Sequence, residues 1–157
     1  MLGGRRNWMS IADDVTSQMK DAMKAKDATR LSTLRSMRTA ILNEMKKDGS
    51  DSVSDAICET LFRKLEKQRK ESIDAFMKGG REKMAENERV ELAIIKEFLP
   101  QLADAAQTRI WVQTAIEESG ASSPKEMGKV MGALMKDHKA EIDGTIAREI
   151  VQELLSG

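Results

Sequence analysis

The chain is poor in the residues that staple small proteins or carry metal and nucleophile chemistry. Among its 157 residues there is one cysteine, Cys58, and one histidine, His138. A disulfide needs two thiols and a structural zinc site needs four ligands of the cysteine and histidine type. Disulfide scaffolds and zinc fingers are therefore excluded, and a cysteine–histidine nucleophile pair is not expected. A lone thiol fits a reducing compartment, and the cytoplasm is the expected location. Long apolar runs are also missing: the longest, Leu92 to Ile95, is four residues, against the ~20 of a membrane-spanning helix. No membrane partner is expected. Nor is there a surplus of one charge, since 26 Lys and Arg balance 26 Asp and Glu. The whole chain is thus neither a basic nucleic-acid coat nor an acidic tail, and partners must be argued from local patches.

Strand formers are scarce as well. Tyrosine is absent and valine occurs six times, whereas alanine (17), glutamate (15), lysine (15) and methionine (11) dominate. That usage predicts an all-α protein. The two prolines, Pro100 and Pro124, fall at expected boundaries. At 40% hydrophobic and 33% charged, the chain has enough apolar material to bury a core.

Residues 1–9, with Gly3, Gly4, Arg5 and Arg6 and no apolar signal core, are read as a mobile extension. From Ser10, Ile11, Val15, Met19 and Met23 recur at helical spacing. A second amphipathic helix carries Leu31, Leu34, Ile41 and Met45 and stops near Gly49. The third and longest carries Val53, Ile57, Leu61, Leu65, Ile73 and Phe76 or Met77, interrupted by Arg69 and ended by Gly79-Gly80. A fourth runs from about Arg81 to Phe98, with Met84, Leu92, Ile95 and Leu99 as its buried stripe. Four amphipathic helices predict a bundle over residues 10–99.

Pro100 breaks the pattern, and the charge balance changes there, with 20 basic and 17 acidic residues in 1–100 but 6 and 9 in 101–157. A domain boundary is expected at this point. Beyond it, Asp104 to Glu118 form a helix with Ile110, Trp111, Ala115 and Ile116 apolar, capped by Gly120. Ser123-Pro124-Lys125-Glu126 has the form of a capping box leading into Met127, Val130, Met131, Leu134 and Met135. A last helix after Asp143-Gly144 carries Ile146, Ile150, Val151, Leu154 and Leu155. A three-helix module over 100–157 results.

Three features could carry chemistry. Arg63, Lys67 and Lys70 align at i, i+4 and i+7 as a positive stripe able to follow a phosphate backbone. The alternative is a solvated helix face paired with Glu59, Glu66, Glu71 and Asp74, which the charge run alone favours. Ser122-x-x-Lys125 matches the spacing of some acyl-transfer nucleophiles, but the capping box accounts for these residues without chemistry. Gly128 and Gly132 lie one turn apart inside a strong helix, where each glycine costs ~1 kcal/mol relative to alanine. They allow another backbone to approach closely, either a packed helix or a ligand's phosphate chain, and Lys129 and Lys136 stand beside them. His138, among Lys136, Asp137 and Lys139, is expected to face solvent, and Cys58 to be buried or half-buried.

The stretch Gly120 to Gly132, with its Met-Gly-Lys-Val-Met-Gly element at residues 127–132, followed by Asp143-Gly144, resembles the YqeY (GatB/YqeY) family. Leu34-Arg35 to Ile41, Asn43-Glu44, Lys67-Gln68-Arg69-Lys70-Glu71-Ser72, Glu91-Leu92 and Phe98-Leu99-Pro100 agree with it. The resemblance implies a four-helix bundle joined to a module like the tail domain of the B subunit of the tRNA-dependent amidotransferase. Similar modules are attached to some glutaminyl-tRNA synthetases. It further implies a tRNA partner, with amidotransferase subunits or an aminoacyl-tRNA synthetase as protein partners, and no DNA. The family also carries the label of a carbon–nitrogen ligase using glutamine as amido donor. The cradle for ATP and metal lies outside the tail, so the expectation is an accessory protein without intrinsic catalysis or cofactor. The expected contacts are Lys125, Gly128, Lys129, Gly132 and Lys136, with Arg63, Lys67 and Lys70 as a second basic face. Where the family often has Lys-Gly before the Asp-Gly, this chain has Ala140-Glu141, which makes that loop more acidic. A part in glutamine-dependent amidation within a complex and a plain protein–protein module are the rival readings.

Overall fold

A computed structural model describes residues 4–157. The all-α expectation holds: the described residues form seven α-helices and no strand. They fall into two compact units that divide between Leu99 and Pro100.

The first unit comprises α1 (Ile11–Ala25), α2 (Ala28–Asp48), α3 (Asp55–Lys78) and α4 (Glu82–Lys96). The helix starts follow from local chemistry. Ser10, Asp27 and Ser54 each accept a hydrogen bond from the backbone N–H three residues on, which satisfies an otherwise orphaned donor of the first turn. Helix α1 ends in an unusual way, on Lys26 with φ of 56°, a left-handed position normally left to glycine. This reversal folds α2 back onto α1, and the Gly79-Gly80 turn does the same for α4 on α3. The core is built from Ile11, Val15, Leu34, Met37, Ile41, Cys58, Phe62, Ile95 and Phe98. At its centre the Phe62 and Phe98 rings meet edge to face at 6.2 Å, the arrangement their quadrupoles favour.

Burial selects differently from the periodic stripe at several places. Met84, expected inside, is 45% exposed, and its neighbour Ala85 is fully buried instead. On α3, Ile57 is exposed and Cys58 buried. On α1, Met23 is exposed and Ala22 buried. In each pair the smaller side chain faces the neighbouring helix, where close approach leaves no room for the longer one.

Part of the N-terminal extension contacts the bundle. Residues 1–3 of it lie outside the described residues, but from Gly4 onward the extension is held to the bundle. The Gly4 carbonyl accepts from Gln18 at 3.0 Å, and the Arg6 N–H donates to the Asp14 carboxylate at 2.8 Å. The Arg6 guanidinium reaches Ser17 and Asp21, and Arg5 reaches Asp14 and Asp55. Asp14 is completely buried, and a buried carboxylate has to be matched by charge and hydrogen bonds. The arm supplies both.

The second unit holds α5 (Ala105–Ser119), α6 (Met127–His138) and α7 (Gly144–Ser156), with a 3-10 turn over Pro124–Glu126 leading into α6. Asp104 and Asp143 cap α5 and α7. The core is Val112, Val130, Leu134, Ile142, Ala147, Ile150 and Val151. Ile110, expected among the apolar positions, is 57% exposed, and Thr108 and Val112 are buried on that helix. Among the described residues no helix is long and apolar enough to cross a membrane.

Candidate nucleic-acid interface

Helix α6 is two-faced. Val130 and Leu134 are turned into the core of the second unit and are almost fully buried; burying each contributes about 1.5–3 kcal/mol, which fixes the roll of the helix. That roll leaves Lys125, Gly128, Lys129, Gly132 and Lys136 all exposed. Lys125, Lys129, Gly132 and Lys136 follow one another at steps of four, three and four, so they form a single stripe. Beyond its chain neighbours and the backbone of its own helical turn, a Cβ built on Gly128 or Gly132 would meet no atom of the described residues within 4 Å. Close packing of a neighbouring helix therefore does not account for either glycine among the described residues. None of the three lysines has an ion-pair partner among the described residues.

The start of this helix is held rigidly. The Glu126 carboxylate accepts from the N–H groups of Ser122 at 2.6 Å and Ser123 at 3.2 Å, as the capping-box pattern requires. These two bonds, aided by the charge of Lys129, hold its pKa below the ordinary carboxylate value. The Ser122–Lys125 spacing is thus absorbed by a helix cap.

At the other end of α6, His138 does not simply face solvent. Its ring stacks on Trp111 at 3.9 Å and 8°, and its Nδ1 lies 2.9 Å from the Glu141 carboxylate. The partners come from α5 and from the loop before α7. No local pattern joins residues 111 and 138, so sequence periodicity could not reveal the stack.

The second basic face is arranged differently. Glu66 is buried between Arg63, at 3.3 Å, and Lys70, at 3.8 Å. The i, i+3 and i, i+4 spacings of these three residues are legible in the sequence, and of the interleaved acids Glu66 makes the expected pairing. Lys67 is exposed with no ion pair among the described residues. Arg69, which interrupts the apolar face of α3, crosses to α4 and pairs with Glu91 at 2.9 Å and Glu88 at 3.6 Å. Cys58 is buried, and burial, with the charges of Asp55 and Glu59 against that of Arg5, pushes its thiol from 9.0 to about 11. A thiol held protonated in this way is not a nucleophile.

Residues 12–155 match the family described as Yqey-like protein. The chain is a member of that family. Its relatives include proteins named "Altered inheritance of mitochondria protein 41, mitochondrial". That of Lachancea thermotolerans is 34% identical over 106 residues, covering 67% of this chain and 56% of the relative. That of Vanderwaltozyma polyspora is 34% identical over 135 residues, covering 83% and 69%. That of Pyrenophora tritici-repentis is 26% identical over 144 residues, covering 88% and 77%. This Yqey-like chain spans about half the length of the first curated relatives it matches. The relatives' names overturn the expectation of the cytoplasm, since they are mitochondrial proteins. That expectation rested on a lone unpaired cysteine, and the mitochondrial relatives show that this does not identify the compartment.

Proposed function

We propose that this Yqey-like protein is a tRNA-binding accessory protein, related to the tRNA-dependent amidotransferase and without catalysis of its own. The RNA contact is made by α6. The observation that carries the reading is the open backbone at Gly128 and Gly132, lying between Lys125, Lys129 and Lys136 with no other element among the described residues packed on it. Two bare helical turns let a phosphate chain approach the backbone, and the lysines supply the charge that releases its counterions. Glycine at both positions costs stability on a solvent-exposed helix, a cost that contact with a ligand would offset. Lys67, with Arg63 and Lys70 shared with Glu66, adds a secondary phosphate contact on α3.

The test is a titration of the full chain against tRNA and an unrelated RNA of similar length, at several salt concentrations. The mitochondrial names of the relatives make organellar tRNA the first probe. Tighter binding to tRNA, weakening steeply with salt, is the expected result. Replacing Lys129 and Lys136 by alanine should flatten the salt dependence by about one unit of slope per lysine. An unchanged affinity and slope in that variant would rule out the α6 face.

A further inference from the structure

The first unit contains a groove of about 310 Å³ between the start of α1, the middle of α2 and the loop before α3. Its charges are unmatched. Arg5, Arg6, Arg30, Arg63 and Arg69, the other buried or half-buried arginines of this unit, each hold a carboxylate. Arg38 is half-buried in the groove, yet its one bond is to the Thr16 hydroxyl at 2.6 Å, and it has no ion pair among the described residues. A guanidinium is a fork of five donors suited to a carboxylate, so most of its capacity is unused. Asp13 and Asp51 line the same groove, and neither carboxylate is ion-paired among the described residues. The rest of the wall mixes Ser10, Thr16 and Ser52 with apolar side chains, including Ile41, Leu42 and Val53.

We propose that this groove binds a small aliphatic zwitterion of the α-amino-acid class. The ligand's carboxylate takes the Arg38 fork, its ammonium faces Asp13 and Asp51, and its side chain lies on Ile41, Leu42 and Val53. A plain anion would be drawn to Arg38 but repelled by the two aspartates, and a plain cation would meet the reverse. A molecule carrying both charges a few bonds apart answers all three groups. The volume is at the lower end of the range for small-molecule sites, which suits a molecule of this size.

The experiment is a two-dimensional amide NMR titration of the full chain with L-leucine, and in parallel with isocaproate, which lacks the ammonium, and isoamylamine, which lacks the carboxylate. Saturable shifts at Asp13, Arg38 and Val53 with leucine, and affinity at least tenfold weaker for both analogues, are expected. Arg38→Ala should abolish the leucine shifts. The double variant Asp13→Asn, Asp51→Asn, made at two exposed positions, should weaken leucine more than tenfold while leaving the spectrum folded. Absence of saturable shifts with leucine, or equal binding of either analogue, would overturn the proposal.

Discussion

Replacing Gly128 and Gly132 with alanine tests the interface from two sides at once. Both residues lie within α6, and beyond the adjoining residues and backbone of that helix a new methyl group at either site would meet no atom of the described residues within 4 Å. The only intrinsic effects are the gain in helix propensity and the loss of unfolded-state freedom. Gly132, in the middle of the helix, should gain about 1 kcal/mol, and Gly128, in the first turn, about half of that. The double variant is then stabilised by about 1.5 kcal/mol. For a chain of this size that is a rise in Tm of about 3–6 °C, followed by far-UV circular dichroism. If the bare backbone is the RNA contact, the same variant should bind tRNA more weakly, because the methyl groups hold the phosphate chain away. Stability and binding therefore move in opposite directions. A fall in Tm would mean that something packs against this face. A rise in Tm with undiminished tRNA affinity would mean that the glycines do not serve RNA.

Three further outcomes follow from the contacts. Replacing Arg5 and Arg6 together with alanine leaves the buried Asp14 carboxylate with the Arg6 N–H and Gln18 as its partners. A loss of about 1–3 kcal/mol is expected, read as a lower urea midpoint at constant slope; an unchanged midpoint would show that the guanidiniums contribute nothing. Glu126→Ala should destabilise the chain at neutral pH. Because the folded carboxyl is held below its ordinary value, its contribution is present above that value and fades as the pH falls through it toward the lowered one. The wild-type and variant midpoints should therefore converge in acid, and a gap independent of pH would contradict the origin assigned to it. Cys58, with its thiol pushed to about 11, should resist iodoacetamide in the folded chain at about pH 8 and react at the rate of an ordinary thiol once unfolded in urea. Rapid labelling of the folded chain would contradict its burial.

What local chemistry controls was legible in the sequence. The all-helical class follows from composition, and the starts of α1, α2, α5 and α7 follow from Ser10, Asp27, Asp104 and Asp143, whose side chains bond to backbone a few residues away; α3 starts only after Ser54, so Val53, counted on its stripe, lies before the helix. The same holds for the Glu126 cap, and for Gly128 and Gly132 as two glycines that need an explanation. What required the tertiary structure involves partners distant in the chain. Helical period locates an apolar face only to within a residue or so, and the packing distance between helices then chose Ala85 over Met84 and Cys58 over Ile57. The extension at residues 1–9 finds partners in Asp14 and Asp55, which folding brings to it. Arg38 lines a groove with Asp13 and Asp51 and makes no ion pair among the described residues, and His138 stacks on a tryptophan 27 positions earlier. Hydrogen bonds within one helical turn are set by spacing along the chain, whereas burial and charge matching between helices depend on which surfaces meet, and that is decided only when the core forms.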